Sequence, residues 1–302
     1  MAFENGRTYA LKGDEPLGRG MTRIAAGRAE KALERLRGSA SGEVGKADAV
    51  HGARRDLKKL RAALRLLRDE LPKKVYREEI ERYRKAGRAL AASRDAEVKL
   101  QALERLGEQT EDLPREAIES WRRFLLSDCE MVVSTDEPAL AEAVAAIETG
   151  LAGIEGWRLE GKGWKVVGGS LTRVYRRGRR AGRDAEADPS EANVHQWRKR
   201  VKDLRYALEL LERSWSGPLR AAAEESHRLA DLLGDHHDLA LLREDLRQRR
   251  LGEEETGRIE AAIDERQGQL AADALPLGRR LYAERPEDFS RRLRRYWQAW
   301  RG

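Results

Sequence analysis

One cysteine, Cys129, stands in a chain of 302 residues. A lone thiol excludes a disulfide within the chain and suits a reducing compartment. Aromatic residues are only 6% of the sequence, and alternating β-branched runs are missing apart from Val166-Val167. Strands therefore have little to be built from. No stretch approaches the roughly 18 apolar residues that would span a bilayer, and Met1 to Arg7 hold no apolar signal core. Reaction signatures are missing too: there is no P-loop, no Gly-x-Ser-x-Gly and no zinc-hydrolase spacing. Carboxylates are abundant but not clustered, and Cys129 has no motif around it, so small buried filler is its expected role. These absences describe a cytoplasmic protein that is not an enzyme and needs no cofactor.

What is present is helical periodicity and charge. Hydrophobic residues make up 40% and charged residues 37% of the chain, a mix that suits helices with one buried stripe. The spacing predicts helices over 18–37, 46–71, 73–106, 113–130 and 138–154, then over 170–183, 190–214, 218–250, 253–275 and 287–300. Seven glycines between Gly150 and Gly169 mark a linker. Pro72 suits a first helical turn, and Ser190 has N-cap character before Glu191. Lys and Arg total 60 against 53 acids, a net charge of +7. That excess is mild, so the placement of charge has to matter more than its sum.

The placement is repeated. His51, Arg54, Lys58 and Arg61 return 144 residues later as His195, Arg198, Lys202 and Arg205. Shorter matches extend the repeat: Met21 to Ile24 with Leu171 to Val174, Arg84-Lys85 with His227-Arg228, and Arg94-Asp95 with His237-Asp238. Each half reads as one helical unit (1–160 and 161–302), the two packing about a pseudo-two-fold axis. In both key helices an apolar seam runs at alternating spacings of three and four: Val50, Ala53, Leu57, Leu60, Leu64 and Leu67, then Val194, Trp197, Val201, Leu204, Leu208 and Leu211. Each cation follows a seam residue by one position, about 100° of rotation. The cations therefore flank the core and do not lie opposite it. A solvated face mixes signs at i, i+4. This one carries no acid, twice, and like charges so spaced repel.

Binding of an anion offsets such repulsion. Arginine offers a planar fork of donors that fits phosphate, and lysine a compact charge. Cations one helical turn apart, ~5.4 Å, meet every second phosphate or so of a linear chain. Two such stripes facing each other would form a basic channel for a polyphosphate thread. Arg173, Arg177 and Arg180 add to the field from the preceding helix, with Arg19 and Arg23 as weaker counterparts in the first half.

The doubled His-x-x-Arg-x-x-x-Lys-x-x-Arg helix resembles the CHAD family, the conserved histidine α-helical domain. Thr172 to Ala181 and Leu233 to Leu239 share the likeness, which spans about 17–285. The resemblance implies an all-α fold of two four-helix bundles, related by a pseudo-two-fold axis around a central basic pore. It also implies non-enzymatic binding of inorganic polyphosphate, with His51, Arg54, Lys58, Arg61, His195, Arg198, Lys202 and Arg205 in the pore and Arg173, Arg177 and Arg180 lining the same cavity. Storage-granule association is compatible with it. One departure is visible: Glu209 stands where the first copy has Arg65.

Three other readings compete. An exposed basic ridge would hold the phosphates of nucleic acid instead. His227, Asp235, His236, His237 and Asp238 are concentrated enough to raise a metal site, but adjacent histidines point about 100° apart and pairing of the acids with nearby cations is favoured. The C-terminal run Arg291 to Trp300 either docks Leu293, Trp297 and Trp300 on the bundle or touches a membrane or granule surface. If His51 and His195 face the ligand, acidification should tighten binding.

Overall fold

The computed structural model describes residues 8–40, 45–90, 92–110, 113–134, 137–248 and 252–302. Among them the fold is all-helical. The first half contributes α1 (Leu17–Ala40), α2 (Lys46–Leu66), α3 (Lys73–Ala89), α4 (Ala92–Gln109), α5 (Arg115–Ser134) and α6 (Glu137–Ile154). The second contributes α7 (Lys165–Ala187), α8 (Glu191–Leu211), α9 (Ser216–Arg247), α10 (Glu253–Leu281) and α11 (Pro286–Arg301).

The differences from the periodicity have local causes. The expected helix over 73–106 is two helices. Its break follows Leu90, where Arg54 donates to the carbonyls of Gly87 and Leu90. A side chain from α2 thus satisfies carbonyls that the end of α3 leaves without intrahelical donors. The glycine-rich linker is shorter than expected, because α7 begins at Lys165 and absorbs Val166, Val167, Gly168 and Gly169. Pro276 lies inside α10, which runs on to Leu281. Ser190 occupies the N-cap of α8, but its hydroxyl donates to Asp188 Oδ2 at 3.0 Å and makes no cap bond.

All twelve seam residues of α2 and α8 are buried. They belong to one core that also takes Met21 and Ile24 of α1, Tyr83 of α3, and Leu171 and Tyr175 of α7. A second core forms further out, where Leu103 and Leu106 of α4 and Trp121 and Leu125 of α5 meet Leu242 and Leu246 of α9 and Ile259 and Ile263 of α10. Both cores draw on both halves of the chain. Asp245 ties the outer one together, accepting hydrogen bonds from Trp121 Nε1 at 2.7 Å and Lys99 Nζ at 3.1 Å. Helix α11 docks through buried Leu293, with Trp297 and Trp300 partly covered against the inner core. Cys129 is half-buried on α5.

Two ion pairs cross from α2 to α8: Lys59 with Glu209 at 2.7 Å and Arg65 with Asp203 at 3.0 Å. A shift of 144 residues takes Lys59 to Asp203 and Arg65 to Glu209. Each pair is thus the counterpart of the other with its signs reversed. The halves have exchanged charges while keeping the contact. Since the seam does the packing beneath these pairs, Leu60→Ala should lower unfolding free energy by about 2–5 kcal/mol. Urea denaturation would show it as a fall in midpoint at constant slope.

Candidate functional site

The burial of the seam decides where the flanking cations go. With Leu57, Leu60, Val201 and Leu204 all buried in one core, the side chains one position on are held at the rim of the α2–α8 contact. Lys202 is half-buried there, and its ammonium is pushed down to about 7. Burial is the largest cause, followed by Arg198 on its own helix and Lys58 across on α2, while Asp231 and Asp238 of α9 partly offset them. Lys58 and Lys202 are the third members of the two stripes. The two lie within electrostatic reach of each other. Arg61 sits in the same field and is lowered to about 10, by burial first and then by Arg65, with Arg84 of α3 adding to the effect and Asp203 and Tyr206 of α8 opposing it.

At the α9 side the rings of His195 and His237 lie 4.0 Å apart. Burial and the neighbouring Lys199, Arg198 and Lys202 hold His195 down to about 4. His237 is lowered to about 3 by burial, His195, Arg198 and other nearby cations. Both rings are therefore neutral at physiological pH, and acidification toward pH 6 does not charge them. As pH falls toward 6, charge is therefore added at Lys202 before it is added at His195. The Nδ1 atoms of both rings are buried without a hydrogen-bond partner.

Arg198 packs against α9 at Gly234, where an added Cβ would lie 2.8 Å from its guanidinium. A glycine at that point lets the arginine lie flat on the helix. Asp238 lies 3.8 Å from Arg198 and 3.7 Å from Arg105, and Asp235 lies 3.5 Å from Arg105. These acids orient cations, as the sequence favoured. His227 instead meets Asp231 at 2.8 Å, and among the described residues no three His, Cys, Asp or Glu side chains could hold a metal.

The α2 stripe continues further than its copy. At the same spacing Arg61 is followed by Arg65 and, just past the end of α2, by Arg68, where the second copy has Glu209 and Glu212. Arg65 and Arg68 line a cleft with Tyr76, Arg173, Arg177 and Arg200. Arg177 is lowered by burial and by Arg200, Arg68 and Arg173. Asp203 and Asp69 are the acids paired there, with Arg65 and Arg200 on the former and Arg173, at 3.1 Å, on the latter. Arg65, Arg68 and Arg200 were missed from sequence because the second copy turns acidic at the first two and Arg200 lies off the stripe. The unbroken 3–4 spacing to Arg68 was the available signal.

A family model described as the CHAD domain matches residues 27–247. The chain belongs to the CHAD family. Its fold is similar to the crystal structure of the CHAD domain from the plant Ricinus communis, with a TM-score of 0.67 at 19% identity, covering 93% of this chain and 96% of that one. It is equally similar to PptA from Streptomyces chartreusis, with a TM-score of 0.67 at 16% identity, covering 89% of this chain and 100% of that one. No curated protein matches it.

Within this CHAD domain the residues expected at the site divide. Lys58, Arg61, His195, Arg198 and Lys202 gather at the rim, and Arg54 turns to the end of α3 beside them. Arg173 and Arg177 share the cleft at the end of the α2 stripe. His51 is exposed. Arg205 donates to Glu209 at 2.8 Å, so its charge is already matched. Arg180 is exposed, lies 3.7 Å from Asp184 on its own helix and is not in the cleft lining. Arg23 is structural: it grips Glu15 at 2.6 Å and the carbonyls of Thr8 and Ala10. Arg19 lines a different groove, beside Trp157 and Trp297. The side chains of Arg94 and Asp95 lie outside the described residues.

The titration of Lys202 gives a signed expectation. Below pH 7 it gains a positive charge, so affinity for a linear polyanion should rise as pH falls from 8 to 6. Lys202→Arg, which stays charged throughout, should flatten that rise, whereas His195→Gln should leave it in place. Calorimetric titrations at pH 6, 7 and 8 check both.

Proposed function

We propose that this protein binds inorganic polyphosphate, without catalysis, along the cation rows at the α2–α8 contact. The supporting observation is the approach of Lys58 to Lys202, flanked by Arg61 and Arg198, in a setting where burial already disfavours charge. A fold that holds like charges together at half-buried positions is stabilised by a ligand that neutralises them. A row of phosphates is such a ligand, and arginine and lysine supply its donors without any group placed to break a bond. The arginines at the α2 end, Arg65, Arg68, Arg173, Arg177 and Arg200, extend the positive field there, with Asp203 and Asp69 pairing three of them. Residence in the cytoplasm, with attachment to polyphosphate or storage granules, fits this reading, and no helix among the described residues is long and apolar enough to cross a membrane.

Exposure is what would separate this ligand from duplex nucleic acid. The cations that carry the reading are half-buried, which favours a thin chain over a duplex that needs an open surface. Competition distinguishes the two: defined-length polyphosphate should displace duplex DNA at equal salt. Tighter binding of the duplex would reverse the assignment.

Calorimetric titration of polyphosphate at two salt concentrations should show steep salt dependence from released counterions. Lys58→Ala/Lys202→Ala should weaken binding by about 10-fold or more, as the loss of two charged contacts of roughly 1 kcal/mol each implies. Equal affinity in the double variant would remove the stripes from the site. Incubation with long-chain polyphosphate should release no phosphate, and release that Arg198→Ala abolishes would make the protein an enzyme.

A further inference from the structure

A groove of about 600 Å³, sharing no lining residue with the α2–α8 cation rows, lies between the first turn of α1, the 157–163 segment and α11. Much of it is built from parts outside the family match at 27–247. Its lining carries Arg19, Arg158, Lys162 and Arg301 and no acid. Arg19, Arg158 and Lys162 are exposed and have no ion pair or hydrogen bond of their side chains among the described residues. Arg301 is fixed in place, donating to the Glu15 carbonyl and lying 5.3 Å from the Trp297 ring centre.

A further feature points to an anion. Helix α1 opens into the groove at Leu17 and Gly18 and has no acid in its first turn. Its first intrahelical bond runs from Gly20 N to Pro16 O, so the amides before Gly20 have no helical acceptor. Trp157, only 8% exposed, forms part of the wall.

The remaining wall is apolar, made by Leu17, Leu159 and Trp297. Gly163 closes it in a left-handed conformation, φ 59°, pressed so near Trp297 that an added Cβ would lie 3.3 Å from the ring. A bare phosphate chain has nothing to cover such a wall. The volume is that of a small-molecule site, and its chemistry is anionic at one end and flat and apolar at the other. We propose that this groove is a second anion site, for a nucleotide: phosphates at the start of α1 among Arg19, Arg158 and Lys162, and the base against Leu159 and Trp297. The proposal stands independently of the polyphosphate reading.

ATP, adenosine and tripolyphosphate are the probes, titrated calorimetrically into the intact protein. ATP should bind saturably at one site and tripolyphosphate about 10-fold more weakly, with no heat from adenosine. Arg19→Ala/Lys162→Ala should weaken ATP by about 10-fold or more while leaving polyphosphate affinity unchanged. Both residues are exposed, so the thermal midpoint should hold. Lys58→Ala/Lys202→Ala should leave ATP binding intact. If ATP binding follows the channel variant instead, or if tripolyphosphate matches ATP, or if no saturable binding occurs, the nucleotide site is refuted.

Discussion

Everything at the centre of this molecule depends on the apolar seam of α2 and α8 overruling the repulsion of the residues beside it. Leu57, Leu60, Val201 and Leu204 are sealed in one core, and each fixes the direction of the side chain that follows it. Had the cations lain opposite the seam, water would have screened them. Placed one position on, they are carried to the rim of the same contact, where Lys58 and Lys202 sense each other. Burial first, and the neighbouring cations second, lower the affinity of Lys202 for its proton at that rim.

The surroundings manage the excess charge unevenly. Asp56 is buried between Arg28 at 2.9 Å and Arg35 at 3.2 Å in the first half. Its counterpart 144 residues on is Arg200, which adds to the positive field about Arg177. Tyr9, from the segment before α1, donates to the Lys59 carbonyl at 3.0 Å and packs edge-on against Tyr206. One side of the α2–α8 contact is thereby covered and neutralised. The other keeps its arginines with few acids among them. The two halves share a plan, and their sequences have drifted in the charges that decorate it.

Much of this was legible. The seam and its flanking cations need only helical periodicity, and periodicity is dense in these two segments. The helix count was near the observed one because most helices carry their own start and stop signals. What was hidden required tertiary contact. Nothing near Leu90 announces a break, since the group that turns there belongs to Arg54, over thirty residues away in sequence. Arg23 looked like a ligand-facing cation because its partner Glu15 comes from a loop that no periodicity locates. His195 looked like a pH sensor because its ordinary titration lies near neutrality, and only its burial beside His237 and three cations shows otherwise. Arg65 and Arg68 were passed over because the comparison between copies ended where the copies diverged.

Glu209 bears on any guest that enters this site. It is held at 2.7 Å from Lys59 and 2.8 Å from Arg205, an anion tethered between two cations. At the opposite end the arrangement returns with its signs exchanged, Asp203 being held 3.0 Å from Arg65 and 3.2 Å from Arg200. Both margins of the contact therefore carry a carboxylate clasped by two cations, and on the reading proposed above a polyanion would compete with a resident acid at either end.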